Sequence, residues 1–413
     1  MDGSGGSDMN EAKGAMTEST TPAGQLKFKE PGSDEWRDLP IDGGEKEQQE
    51  KTKAARDSLK DTLLTSLQMQ HIVVLTGSGT SLGPVGGPSM KDLWDAAIGK
   101  PPNESATKTA GKINYDLQTP IPNIEEFLSK SEAYLQVTED IDVKSCVNFC
   151  KKVILEKCSR FLNVEKLDAH KTFLHRLSRR RVRDPRLKVF TTNYDLCFEK
   201  AAGAIGGVVI DGFSFTPPRQ YDPRYFGYDI IRRSRASEDQ GNYLEGVFLL
   251  YKLHGSVNWA RDASGVIQEK SEPAPEEACL IYPAKGKYQQ SFLQPHLESM
   301  SQYLAALREP NTCLFTIGFG FNDDHLSEPI LAAVRSNPHL RLIIADPGII
   351  DRESQGAKAG TYWKNFFALA KNSEDIWFLN ASFQDFSKLI PDLKSLTPAD
   401  RLMKTIQSIA EKK

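Results

Sequence analysis

Three short segments carry the side chains that could act together on a phosphorylated, hydroxyl-rich ligand. They are Gly77-Ser78-Gly79-Thr80-Ser81, Thr191-Thr192-Asn193-Tyr194-Asp195 and Lys252-Leu253-His254-Gly255-Ser256-Val257-Asn258-Trp259. In the first, glycines let backbone amides approach a pyrophosphate closely, and hydroxyls add donors for anion oxygens. In the second, the amide of Asn193 can hold a ribose hydroxyl or a water, and the carboxylate of Asp195 can orient that network. The same two residues would also cap a helix opening at Leu196. In the third, His254 titrates near neutral pH and can accept a proton from a hydroxyl. A histidine placed after a strand is also commonly a satisfied structural residue. Trp259 reads as packing.

Each segment follows an apolar run, and apolar runs of this length predict buried strands. Strands are expected over 71–76, 187–192, 207–211, 247–253, 279–282, 312–317, 340–345 and 376–379. Helical patterns intervene, which predicts an α/β fold with a doubly wound, mostly parallel sheet covered on both faces. The three segments would then meet at the carboxyl edge of that sheet, where such folds bind nucleotides. Gly318-Phe319-Gly320 and Asp346 end two further strands and suit phosphate and ribose, with Asp346 equally suited to a turn before Pro347. Asp323, Asp324 and His325 look like metal ligands, but they open a helix expected over 324–334. Acidic residues in a first turn suit the helix dipole, so they read as caps.

Between the first two strands lie about 110 residues of helical periodicity, including 124–135, 143–161 and 164–177. A single crossover needs far fewer, so a helical insertion is expected over about 100–185, overhanging the glycine turn. Residues 1–45 read as a flexible arm, or one that docks Trp36 on another subunit. Residues 46–396 form the main domain, entered by an amphipathic helix over about 45–70, and 397–413 form a C-terminal helix.

The 413 residues carry a formal net charge of −3, which gives no global pull toward nucleic acid or anionic membrane. No apolar run approaches a membrane span, and a soluble cytoplasmic protein is expected. Six scattered cysteines form no Cys-x-x-Cys pair and read as reduced thiols; Cys146 and Cys150, four apart, read as helix packing. One basic run, Arg176, Arg179, Arg180, Arg181, Arg183, Arg186 and Lys188, could contact DNA or an acidic partner, or form a solvated helix end.

In order and chemistry these segments resemble the sirtuin-like family of NAD-consuming enzymes, over about 72–383. Gly77-Ser78-Gly79-Thr80-Ser81 resembles the family's Gly-Ala-Gly-x-Ser turn, while Leu82 breaks the plain dinucleotide fingerprint. Gly87-Pro88-Ser89 resembles the Gly-x-Pro segment of its non-deacetylating branch, and Thr192 stands where deacetylases usually carry glutamine. The paired Cys-x-x-Cys zinc module of the deacylases is missing. The resemblance thus implies a sirtuin-like Rossmann variant of the prokaryotic anti-phage branch, hydrolysing NAD as substrate and needing no metal. Asn193, Asp195 and His254 would be catalytic. Gly77, Ser78, Gly79, Thr80, Ser81, Thr192, Gly318, Phe319 and Asp346 would bind the dinucleotide. Homo-oligomers and a HerA-type hexameric ATPase are the partners it implies. Two alternatives stay open: a zinc-free deacylase or ADP-ribosyltransferase, and a DNA-engaging or scaffolding subunit whose NAD pocket is regulatory.

Overall fold

All but one of the expected apolar runs condense into one sheet whose strands expose alternate side chains to two separate cores. In the computed structural model the chain is described over residues 26–39, 46–118, 123–180, 184–231, 243–283 and 293–392. Its strands are β1 (Lys27–Lys29), β2 (Arg37–Asp38), β3 (His71–Thr76), β4 (Leu187–Thr191), β5 (Val208–Ile210), β6 (Val247–Lys252), β7 (Gly255–Arg261), β8 (Ile267–Glu269), β9 (Ala278–Leu280), β10 (Thr312–Ile317), β11 (Leu340–Ala345) and β12 (Ile376–Asn380). The central sheet runs in the order β2-β1-β12-β11-β10-β3-β4-β6-β5. From β12 to β5 every neighbouring pair is parallel, while β1 and β2 join the edge antiparallel.

Ile72 and Val74 of β3 enter one core with the helices Lys46–Leu67, Asp168–Leu177, Cys197–Ala204 and Phe383–Leu389. Val73 and Leu75 enter the other, with the helices His296–Arg308, Asp324–Ser336 and Thr361–Lys371. A strand buried on both faces has no polar side to alternate, which is why these segments read as continuous apolar runs. The chain leaves β3 toward β4 under one face and leaves β10 toward β11 over the other. The carboxyl ends of β3 and β10 therefore form a topological switch point, the place where a doubly wound sheet opens a crevice.

Four helices, Met90–Ala97, Glu104–Lys112, Ile124–Val137 and Ile141–Arg160, make a third core with Val257, Leu280 and Tyr282. These last residues belong to or adjoin a separate antiparallel sheet, β8-β7-β9. The stretch 279–282, expected in the central sheet, contributes to that small sheet instead, because β9 pairs with β7 antiparallel. The helix Asp168–Leu177, counted on sequence with the insertion, lies on the central sheet, since its apolar face of Phe173, Leu174 and Leu177 enters the first core.

Of the arm expected over 1–45, residues 26–39 pair within the chain: Phe28 is fully buried and Trp36 Nε1 donates to Glu353 Oε2 at 2.7 Å. The helix expected over 397–413 lies outside the described residues. Among the described residues, no helix is long and apolar enough to cross a membrane.

Candidate functional site

The parallel registers level four strand ends. Ile317 pairs with Thr76, Thr76 with Thr191, and Thr191 with Lys252. The residues that follow, Gly318, Gly77, Thr192 and Leu253, therefore leave the same edge side by side. This brings together the three segments singled out in the sequence.

The amide of Asn193 is held from the glycine turn. Its Nδ2 donates to Thr80 Oγ1 at 3.1 Å and to Ser81 Oγ at 2.9 Å. Ser81 Oγ donates in turn to Asp195 Oδ2 at 2.6 Å, and Asp195 Oδ1 accepts the backbone N–H of Cys197 at 3.0 Å. Asp195 thus meets the first turn of the helix Cys197–Ala204 and is linked to Asn193 through Ser81. With Nδ2 committed, the acceptor Oδ1 is the end of the Asn193 amide left for a ligand hydroxyl or water.

The hydroxyls of Thr80 and Ser81 differ from the expectation that they donate to an anion. Thr80 Oγ1 donates to Gly77 O at 3.0 Å, and the Ser81 proton goes to Asp195. The backbone N–H groups of Gly79, Thr80 and Ser81 also have partners, in Gly318 O, Gly77 O and Ser78 O. Backbone packing accounts for the glycines themselves. A Cβ at Gly79 would lie 2.6 Å from Gly318 Cα, and Gly318 itself has a φ of +57°. Two loops pressed together this closely leave no room for any side chain. Thr192 is tied to β3, its N–H donating to Thr76 O at 3.0 Å.

Phe319 is buried in the second core, stacked edge-on with Phe321 at 5.2 Å, so only its backbone is available to a ligand. The Asp346 carboxylate accepts the Gly348 N–H at 2.8 Å and lies 3.6 Å from Arg352 Nη2. That is the turn arrangement of the two weighed for it.

His254 leaves β6 almost fully buried, at 3 % exposure. Its Nε2 lies 3.3 Å from His325 Nε2. Gly255, with a φ of +85°, lets the chain turn directly into β7; a Cβ there would overlap Cys279 O. The first turn of the helix Asp324–Ser336 is therefore more than a cap, because His325 reaches the imidazole expected to act. An open cleft of about 500 Å³ lies beside that turn, lined by Asn322, Asp324, Glu328 and Tyr362 among others. None of the glycine turn, Asn193 or His254 lines it.

Two residues named in the sequence were given no role at this edge. Lys252 closes β6 with a buried ammonium whose Nζ donates to Asp195 O and to Glu199 Oε1, the latter at 3.1 Å. Burial pushes the Glu199 carboxyl above its usual range, against the pull of Lys252. A lone lysine ending an otherwise apolar strand was the available signal. His325 is the second, hidden among residues read as helix caps. Tyr194, between Asn193 and Asp195, ties this edge to the small sheet: its Oη donates to Ile281 O at 2.7 Å, and its carbonyl accepts from Val257 N.

Part of this edge lies within a recognisable stretch. Residues 187–366 match a SIR2-like domain. That SIR2-like stretch runs from β4 through Asn193, Asp195, His254 and His325 into the helix Thr361–Lys371, and leaves out the glycine turn. The chain is similar to a Sir2 homologue triple mutant in complex with 2'-O-acetyl ADP ribose, at 15% identity and a TM-score of 0.42, covering 80% of this chain and 94% of that one. It is similar also to a Sir2 homologue mutant in complex with ADP ribose, at 15% identity and a TM-score of 0.40, with the same coverage. No curated protein matches it. Among the described residues, no cluster of three or more His, Cys, Asp or Glu is placed to hold a metal ion. All six cysteines are buried free thiols, Cys146 and Cys150 among the apolar side chains of the insertion core.

Proposed function

We propose that the chain hydrolyses NAD to nicotinamide and ADP-ribose. The observation that carries this reading is the chain of hydrogen bonds from Asp195 through Ser81 to Asn193, one strand away from His254. The SIR2-like match over 187–366 supports NAD as the substrate.

Nicotinamide leaves as a neutral molecule, so the protein's task is to hold the ribose, stabilise a cation-like sugar and place water. Asn193 Oδ1 would accept from a ribose hydroxyl or the attacking water. His254 would take the proton that the water gives up as it bonds to the sugar carbon, and release it to solvent. The Gly77–Ser81 and Gly318–Phe319 backbones flank the switch point where the pyrophosphate would lie. Asp346 would remain at the ribose end only by trading its turn contacts for a hydroxyl.

Such an enzyme drains a shared cofactor, so its activity must be restrained. We place that restraint in assembly, as a homo-oligomer or with a HerA-type ATPase, in anti-phage defence; the resemblance of the motifs is the support for it. The test is to incubate the full chain with NAD, alone and with such an ATPase, and to follow nicotinamide and ADP-ribose. Asn193→Ala and His254→Ala should each abolish turnover and keep the melting temperature. Full activity in both variants would overturn the proposal. Nicotinamide release only when an acyl-lysine peptide is supplied would favour the deacylase instead, and label on an acceptor protein the ADP-ribosyltransferase. NAD binding without turnover would favour a regulatory pocket on a scaffolding subunit.

A further inference from the structure

We infer that Arg352 receives a phosphate at the 2' position of the adenosine ribose, so that the chain takes NADP as well as NAD; this rests on the dinucleotide-cleaving role proposed above. Arg352 lies on the helix Ile349–Gln355, which follows β11. Its guanidinium sits over the ring of Trp363, with Cζ 4.7 Å from the centroid. Trp363 Nε1 donates to Gly320 O at 3.1 Å, and a Cβ at Gly348 would come within 3.8 Å of Arg352 Nε. The cation is thereby fixed between the turn after β11 and the Gly318-Phe319-Gly320 loop after β10. Those are the two strand ends whose residues suit ribose and phosphate.

These contacts place the guanidinium without engaging its donors. Nε is buried with no hydrogen-bond partner, and Nη2 stays 3.6 Å from Asp346 Oδ2, too long for a hydrogen bond. A buried N–H without an acceptor is costly, and the planar fork of arginine matches two phosphate oxygens. The side chain is 21% exposed, which leaves a ligand oxygen a way in. In doubly wound dinucleotide folds a carboxylate near such a strand end takes the 2'-hydroxyl of NAD, whereas a nearby arginine takes the 2'-phosphate of NADP. Here Asp346 Oδ1 is committed to the Gly348 N–H at 2.8 Å, and the arginine is the group left over. The pyrophosphate is a poorer match for it: the switch point lies between β3 and β10, and β11 stands one strand further out.

The test uses the full chain, with NAD and NADP as substrates and ADP-ribose and 2'-phospho-ADP-ribose as binding probes. Arg352→Met keeps the stem over Trp363 and removes the cation. It should lower kcat/KM for NADP about 10- to 100-fold, the effect of losing a charge-assisted hydrogen bond, and leave that for NAD within about twofold. Arg352→Lys keeps a charge without the fork and should fall between the two. Equal losses for NAD and NADP, or a parent chain that cleaves NAD and rejects NADP, would overturn the assignment. Calorimetry needs no turnover: 2'-phospho-ADP-ribose should bind the parent chain, and Arg352→Met should weaken it about 10- to 100-fold while ADP-ribose holds. If the parent chain cleaves neither dinucleotide, the function reading fails, and the binding comparison still decides the role of Arg352. No binding of the phosphorylated probe, or binding that Arg352→Met leaves unchanged, would overturn that role.

Discussion

Asn193 and Ser81 are joined by a 2.9 Å hydrogen bond in which the amide donates, so the serine hydroxyl is free to donate onward to Asp195. One serine thus links the two residues that the sequence had paired directly. Ser81→Ala should lower NAD cleavage about 10- to 100-fold, as Asn193 loses a holder. It also leaves a buried Asp195 oxygen without its donor, at a cost of about 1–3 kcal/mol. Steady-state kinetics beside a denaturant melt would separate these effects. Wild-type kcat in a folded Ser81→Ala chain would remove Ser81 from the relay.

Gly79 and Gly318 are pressed backbone to backbone at this edge. Gly79→Ala would drive a methyl to 2.6 Å from Gly318 Cα, and neither loop can yield without breaking the Gly79 N–H bond to Gly318 O. A loss of about 2–4 kcal/mol in unfolding free energy is expected. Gly203, inside the helix Cys197–Ala204, has nothing within 4 Å of the place a methyl would occupy, and Gly203→Ala should hold or raise stability. Equal melting temperatures for the two variants would contradict the packing argument.

The central strands were readable because burial on both faces leaves a short apolar run bounded by turns, and the runs at 71–76, 312–317 and 340–345 match their strands end to end. The edge strands β1 and β2 were not. Lys27, Lys29, Arg37 and Asp38 carry charge along a sheet margin, so no apolar pattern marks them. At the site, Asn193 and Asp195 announced themselves by type and by their place after a strand. His325 and Lys252 act through partners more than 50 residues away, and sequence spacing carries no trace of such contacts. The glycine turn was found for a reason different from the one its structure gives, since its hydroxyl protons and most of its amides serve the protein itself.

His170 sits fully buried between the edges of Phe198 and Phe383, with neither ring nitrogen hydrogen-bonded. Burial pulls its pKa from the usual 6.5 down to about 4. The unfolded chain therefore takes up a proton below pH 6.5 that the folded chain refuses until about pH 4. Stability present above 6.5 is lost as pH falls across that window, by about 3 kcal/mol for this residue. His170→Phe should flatten the acid limb of a stability-versus-pH curve. His296, lowered to about 4 by its own burial, should keep part of the slope. An identical acid limb in His170→Phe would show that the ring titrates normally.

Lys252 and Glu199 form an ion pair at 3.1 Å beneath the helix that begins after Asp195. Lys252→Met removes the ammonium that also binds Asp195 O, leaving the part-buried Glu199 carboxyl without its cation. A loss of about 3–5 kcal/mol is expected, with much of it regained in the double variant Lys252→Met, Glu199→Gln. Chemical denaturation of the single and double variants gives the coupling. Additive losses would mean that the two residues do not act as a pair.

The arginine run reads differently once its partners are known. Arg180 donates to the carbonyls of Leu67, Met69 and Gln70, closing the helix that leads into β3. Arg176 does the same for Ser387, Lys388 and Ile390, and Arg186 grips Asp229 with two nitrogens while lying over Tyr243. Arg181 and Arg183 lie outside the described residues. Arg180→Ala should therefore cost about 2–3 kcal/mol of stability whether or not the chain meets DNA. A combined replacement of the run would confuse unfolding with lost binding. Arg179 is the better probe, because its ion pair with Asp392 at 3.5 Å is partly exposed and worth under about 1 kcal/mol. If DNA binds here, Arg179→Glu should weaken the binding and flatten its dependence on salt, with the melting temperature held. Unchanged affinity for DNA, or none in the parent chain, would leave these arginines as the internal clamps that their hydrogen bonds make them.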